Sequence, residues 1–214
     1  MDAHTAEPQI TPNRRIPKQQ RSQLKVAQIL DSASELLKRV PIDDVSVKLI
    51  AQHAGVAVPT FYGYFSDREA VFNALGMHYL DETLELIDQL ASLTFDTWED
   101  ASDAMVDTYV EWFRSRVGFR VLWFSGRLDE AVVAADRAGN AALADRVRLI
   151  MEQTVGHDLE TPSYVFHFTV EMTDRLLRYG FELSPDGDEQ TFVEIKRALR
   201  SYLSNFLPAS TKHS

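Results

Sequence analysis

Apolar residues recur at steps of three and four along most of the chain, and no stretch alternates long enough to read as a strand. That period belongs to amphipathic helices. A first helix is expected from Lys18 to Arg39, with Leu24, Ala27, Leu30, Ala33 and Leu37 as its buried stripe and Val26, Ile29 and Leu36 widening it. Pro41 stops it, and Ile42 and Val45 flank a short loop. Ser46 is a good N-cap for a short helix carrying Val47, Ile50 and Ala51. Gly55 can take the left-handed conformation that ends such a helix, and Pro59 fits only the first turn of the next one, from about Ala57 to Tyr64.

A longer helix follows from a cap at Asp67 to Leu90, too long to serve the short pair alone. Further helices are expected from Asp96 or Thr97 to Arg116, within the apolar run between Gly118 and Gly126, from Asp129 to Val155 with a possible break at Gly139, from Thr161-Pro162 to Leu183, and from Glu189 to Phe206. The fold class is all-α with about nine helices: an N-terminal helix-turn-helix head and a C-terminal helical ligand and dimerisation domain. Residues 1–17, with Pro8, Pro12 and Pro17, read as a disordered basic arm, 18–75 as the head and 76–214 as the remainder.

Charge changes this picture. The formal net charge is −10, yet its distribution is uneven: residues 1–75 sum to +1 and residues 76–214 to −11. Arg14, Arg15, Lys18, Arg21 and Lys25 stand without an acid between them. Beside two short helices joined by a glycine turn, such a block suits phosphate neutralisation. The chain has no cysteine, which removes disulfides, thiolate metal sites and a cysteine nucleophile. No apolar run approaches the ~20 residues that span a bilayer, and the N-terminus lacks the apolar core of a signal peptide. A soluble cytoplasmic protein is expected.

In the second short helix, Val58, Pro59, Thr60, Tyr62, Gly63 and Tyr64 are candidates for a DNA face, since Phe61 and Phe65, four apart, suffice for the core. Val58, Pro59 and the Thr60 methyl suit thymine methyl groups, and Lys48 suits guanine. Arg14 and Arg15 fit either a minor groove or phosphates. His53, His157 and His167 have no ligand-like partners, so neither a metal nor a cofactor is expected. No Ser/His/Asp set, carboxylate pair or phosphate loop suggests an enzyme. The aromatic second half offers Trp112, Phe113, Trp123, Phe124, Phe166, His167, Phe168 and Met172 as a cavity lining, with Arg127 or Arg175 as polar anchor. Phe181, Phe192, Ile195, Leu199, Tyr202 and Phe206 give broad apolar faces near the chain end, suited to burial against a second copy.

Ile29-Leu30, Ala33, Leu36-Leu37, Val45-Ser46-Val47, Ile50-Ala51, Ala54-Gly55-Val56, Thr60-Phe61-Tyr62, Tyr64-Phe65, Arg68-Glu69 and Leu75 stand in order and spacing that resemble the DNA-binding head of the tetracycline-repressor family. The resemblance covers about Lys18–Leu75. It implies a homodimeric, ligand-responsive transcriptional regulator, usually a repressor, that binds a double-stranded operator, dimerises through its last two helices and is released by a small, largely apolar effector. It carries phosphate contacts onto Thr60, Tyr62, Tyr64 and Arg68. Two positions depart from the family pattern: the turn Val40-Pro41-Ile42-Asp43-Asp44 lacks its glycine and aromatic, and Gly63 replaces a larger residue. The alternatives are a helical small-molecule binder, or an enzyme, that does not act through DNA.

Overall fold

The computed structural model describes residues 18–209; the segment 1–17, with Arg14 and Arg15, and residues 210–214 lie outside them. The described residues form nine α-helices and no strand: α1 (Lys18–Leu37), α2 (Val47–His53), α3 (Val58–Tyr62), α4 (Arg68–Leu90), α5 (Trp98–Ser115), α6 (Val117–Phe124), α7 (Glu130–Val155), α8 (Ser163–Leu183) and α9 (Glu189–Leu203). None is long and apolar enough to cross a membrane.

Local chemistry fixes most of the starts. Ser46 Oγ accepts from Leu49 N at 3.2 Å, Asp67 Oδ1 from Ala70 N at 2.7 Å, Thr97 Oγ1 from Asp100 N at 3.1 Å, Asp129 Oδ1 from Val132 N at 2.9 Å and Asp188 Oδ2 from Thr191 N at 2.8 Å. Each cap satisfies an orphan N–H and is worth about 1 kcal/mol. Gly55, at φ 63°, follows the end of α2 in the left-handed region. The loop at Ile42–Asp44 is a single 3-10 turn.

The core consists of two apolar clusters. The first joins α1 to α4, α5, α6 and the facing sides of α8 and α9; the second lies among α4, α5, α7, α8 and the end of α9. Several expectations change here. No described residue before Ile29 is buried, so Leu24 and Ala27 face solvent and the stripe of α1 consists of Ile29, Ser32, Ala33, Leu36 and Leu37. α7 runs through Gly139 without a break. Phe181, Phe192, Ile195 and Leu199, expected to await a second copy, are buried inside this chain. The turn after α8 folds α9 back, so Phe181 stacks on Phe113 at 5.6 Å and meets Phe192 at 5.4 Å. Tyr202 and Phe206 are only partly covered.

Three links tie α6 and α7 to the N-terminal helices. Gly118 lies inside α6 rather than before it, where a Cβ would sit 2.9 Å from Ser34 O and Oγ and 3.0 Å from Tyr79 Oη. Ser34 Oγ and Tyr79 Oη are themselves hydrogen-bonded at 2.7 Å. Arg127 pairs with Asp43. Asn73 donates to Asp129 Oδ2 at 2.8 Å and accepts from Asp129 N at 3.1 Å.

Gly118 and Gly139, two of the glycines inside helices, therefore predict opposite outcomes in urea denaturation. Gly139→Ala meets nothing within 4 Å and gains about 0.5–1 kcal/mol from helix propensity. Gly118→Ala forces α6 off α1 and costs about 1–3 kcal/mol by overpacking. Equal signs for the two variants would contradict this packing.

Candidate nucleic-acid interface and internal cavity

α3 has five residues, too few to persist without tertiary support. Its support is Phe61, fully buried, with its ring 5.9 Å from that of Phe65. Burying Phe61 turns the rest of the helix outward. Val58, Pro59, Thr60, Tyr62 and Gly63 are exposed, Tyr62 by 56% of its surface, and Ser46 and Lys48 of the adjoining α2 are exposed too. The Ser46 oxygen accepts the cap bond from Leu49 N, which leaves its O–H free to donate. Lys18 opens α1.

Two expected contacts sit differently. Tyr64 is half-buried against the first core cluster, since it follows the helix end and folds back toward it. Arg68 is not a free cation: Nη1 donates to Asp43 O at 2.9 Å and Val45 O at 3.0 Å, and Nε to Glu69 Oε1 at 2.8 Å. It braces the turn that launches α2, and the two carbonyls that claim it lie 25 and 23 residues upstream.

An internal cavity of about 70 Å³ lies among α4, α5, α7, α8 and α9. Ile87, Met105, Leu143, Met151 and Leu203 give it an apolar wall, and Tyr109, Asn140, Thr169, Thr173 and Asp174 give it polar groups. None of Trp112, Phe113, Trp123, Phe124, Arg127, Phe166, His167, Phe168, Met172 or Arg175 lines it. Large rings fill space instead of leaving it. Phe119 packs on Trp112 at 4.7 Å, Phe113 at 5.1 Å and Trp123 at 4.8 Å, and Phe124 lies 4.9 Å beneath the Arg178 guanidinium. Phe166 is buried in the second cluster, Phe168 is 53% exposed, and His167 and Met172 are half-covered. Arg127 is taken by Asp43, and Arg175 lies exposed 3.7 Å from Glu182. The cavity opens where slender side chains meet: Ser102, Val106, Val147, Thr169, Val170 and Thr173. Its sequence signal is a pair of threonines, Thr169 and Thr173, on the otherwise apolar inner face of α8.

The cavity's electrostatics are unusual for an interior. The Tyr109 hydroxyl is buried and has only the Thr83 hydroxyl close by among the described residues. Burial first, then the nearby Asp174 charge, pushes its pKa well up. Asp174 is pushed up to about 6, first by burial and then by Glu171, and Asp136 also to about 6, first by burial and then by Asp174 and Glu171. Among the described residues no cluster of three His, Asp or Glu is placed to hold a metal ion.

Residues 96–207 match the family model described as Tetracyclin repressor-like, C-terminal domain, and residues 29–75 match bacterial regulatory proteins of the tetR family. The HTH-type transcriptional regulator EthR of Mycobacterium tuberculosis is 32% identical over 123 residues, 56% of this chain and 49% of that one. The chain spans between a quarter and a half of the length of the curated relatives it matches. A TetR-family regulator from Streptomyces coelicolor superposes with a TM-score of 0.62 at 25% identity, covering 86% of this chain and 99% of that one. The regulator FadR of Bacillus subtilis, solved with stearoyl-CoA, shares the fold with a TM-score of 0.63 at 14% identity, over 85% and 99% of the two chains.

The carboxyls predict how stability varies with pH. The folded chain holds protons on Asp136 and Asp174 up to about pH 6, whereas unfolded aspartates lose theirs near 3.9. Stability therefore falls as pH rises through that window and stays lower above it. Asp174→Asn removes the cost, so it gains roughly 1–2 kcal/mol at neutral pH, allowing for partial exposure, and nothing below pH ~4. Thermal melts across pH check this, and a neutral-pH loss would contradict it.

Proposed function

The chain belongs to the tetR family of bacterial regulatory proteins, and on that premise we propose that it is a homodimeric repressor, released from its operator when a small, largely apolar molecule enters the cavity. The family consists of DNA-binding transcriptional regulators rather than enzymes. The observation that carries the reading is the outward edge of α3, an apolar and hydroxyl-bearing strip that the described residues leave uncovered.

Residues 18–75 do the reading. Val58, Pro59 and the Thr60 methyl pack on thymine methyl groups, and Lys48 donates to guanine. The Thr60 and Tyr62 hydroxyls, with Ser46 at the start of α2, take phosphate oxygens, and Gly63 lets the backbone come close. Tyr64 and Arg68 hold this edge in place from behind. Arg14, Arg15 and Lys18 add charge from the arm.

Residues 76–214 hold the ligand and the second copy. The exposed face of α8 carries Tyr164, Phe168, Tyr179 and Leu183, and α9 adds Val193. Phe168 continues through Tyr202, 5.2 Å away, to Phe206 at a further 5.3 Å. An aromatic strip of this kind suits a self-complementary interface. A ligand that prefers one placement of the two heads weakens operator binding by its difference in affinity for the two placements. The stearoyl-CoA complex of FadR supports a ligand with an apolar body.

Lys48→Ala is expected to weaken operator binding by about 1–3 kcal/mol and random duplex far less. Tyr62→Phe, which loses a phosphate contact, weakens both alike. Fluorescence anisotropy with the two duplexes separates the cases, and an operator affinity untouched by Lys48→Ala would sink the base contact. Tyr164→Glu with Phe168→Glu should sediment as a monomer; an intact dimer would move the interface elsewhere.

A further inference from the structure

We propose that the cavity selects a cation: a molecule with an apolar body and a protonated amine, whose nitrogen sits between the Asp174 carboxylate and the Tyr109 hydroxyl. This rests on the cavity being the effector site and specifies the effector's chemistry.

The hydrogen-bond inventory carries the argument. Thr169 Oγ1 donates to Val165 O at 2.8 Å and Thr173 Oγ1 to Thr169 O at 2.8 Å, so both hydroxyl hydrogens are spent on their own helix. Asn140 Nδ2 donates to Glu171 Oε1 at 3.1 Å. What these three side chains have left to offer is chiefly acceptor lone pairs. Asp174 adds a carboxylate and makes no hydrogen bond or ion pair among the described residues. The cavity lining contains no Lys, Arg or His. Apart from the Ser102 and Tyr109 hydroxyls, which can donate as well as accept, the polar side chains of the lining thus offer chiefly acceptors.

Tyr109 points the same way. Its hydroxyl is buried in the lining with the Thr83 hydroxyl close by, and since the Thr83 hydrogen is spent on Leu80 O at 2.8 Å, no donor among the described residues serves the Tyr109 oxygen. A buried polar group left unmade costs free energy that an incoming partner recovers.

The surrounding charges agree. α7 contributes Asp136 and Arg137, and α8 contributes Glu171, Asp174, Arg175 and Arg178. The cations near Asp174 are engaged elsewhere: Arg178 Nε bonds Glu182 at 3.0 Å and its guanidinium covers Phe124, while Arg175 reaches Glu182. A carboxylate ligand would meet Asp174 across a poorly solvated space. A plain hydrocarbon would bury Asp174 and Tyr109 unpaired. An ammonium brings three donors and the opposite charge, while Ile87, Met105, Leu143, Val147, Met151 and Leu203 take the apolar body.

Three probes of one chain length test this by calorimetry on the full chain near neutral pH: decylammonium, decan-1-ol and decanoate. Decylammonium should bind at least about tenfold more tightly than decan-1-ol, with decanoate weakest. Asp174→Asn should reduce the decylammonium-to-decanol ratio by about tenfold, and Tyr109→Phe by a few-fold. Decanoate binding as tightly as decylammonium, or a ratio unchanged in Asp174→Asn, overturns the proposal. Val147→Trp, which fills the cavity, separates the two levels of failure. Decan-1-ol binding that Val147→Trp abolishes, with no preference for decylammonium, refutes the cation and leaves the effector cavity standing. Probe binding unaffected by Val147→Trp refutes the cavity itself and the proposal with it.

Discussion

The outward edge of α3, the proposed DNA face, depends on the burial of one phenylalanine. α3 is a five-residue helix that propensity alone cannot sustain, and Phe61 is its only buried side chain. With Phe61 in the core and Phe65 beside it, the helix has one rotation about its axis, which puts Val58, Pro59, Thr60 and Tyr62 outside together. Arg68 completes the seating from the far side by fastening the carbonyls of Asp43 and Val45, just before α2 begins. A side chain that looks like a DNA contact thus serves by fixing the angle at which α2 leaves its turn. A polar brace and an apolar anchor thus agree about the orientation of the proposed reading edge.

The same head is held to the remainder of the chain through side-chain contacts that permit little slack. α6 approaches α1 closely enough at Gly118 that no Cβ fits, and Ser34, Tyr79, Asp43 and Asn73 each bond across this boundary or help form it. α4 contributes Tyr79 and Asn73 here and Ile87 to the cavity wall, so one helix touches both places. The cavity gives up stability to exist. It buries a tyrosine oxygen that no donor among the described residues serves, and holds two aspartates above their ordinary pKa. Unspent polar groups of this kind are where a ligand gains its affinity. The proposed coupling of occupancy to head placement runs through α4, which touches both places.

How much of this was legible in the sequence follows from the range of each interaction. Helix starts were readable because a cap acts across three residues: Ser46, Asp67, Thr97, Asp129 and Asp188 each bond locally. The head was readable because Gly55 and Pro59 punctuate it and Phe61 and Phe65 share one face. What failed depended on distant partners. Gly118 announced only a missing side chain, and whether that meant a turn or a close approach was decided by Ser34 and Tyr79. Phe181, Phe192, Ile195 and Leu199 are apolar as expected, but α5 and α8 cover them within one chain. The aromatic abundance that suggested a pocket marks the best-filled part of the core, and the cavity lies where threonines and valines are too thin to close the gap.

The central claim is that two copies of this chain read one duplex through paired α3 edges. Footprinting the DNA upstream of its own gene with the full chain tests it most directly. The account predicts two protected half-sites on one face of the duplex, their centres about one helical turn, ~34–36 Å, or a whole multiple of it apart. Protection of a single half-site, or none that distinguishes this DNA from random duplex, would contradict it.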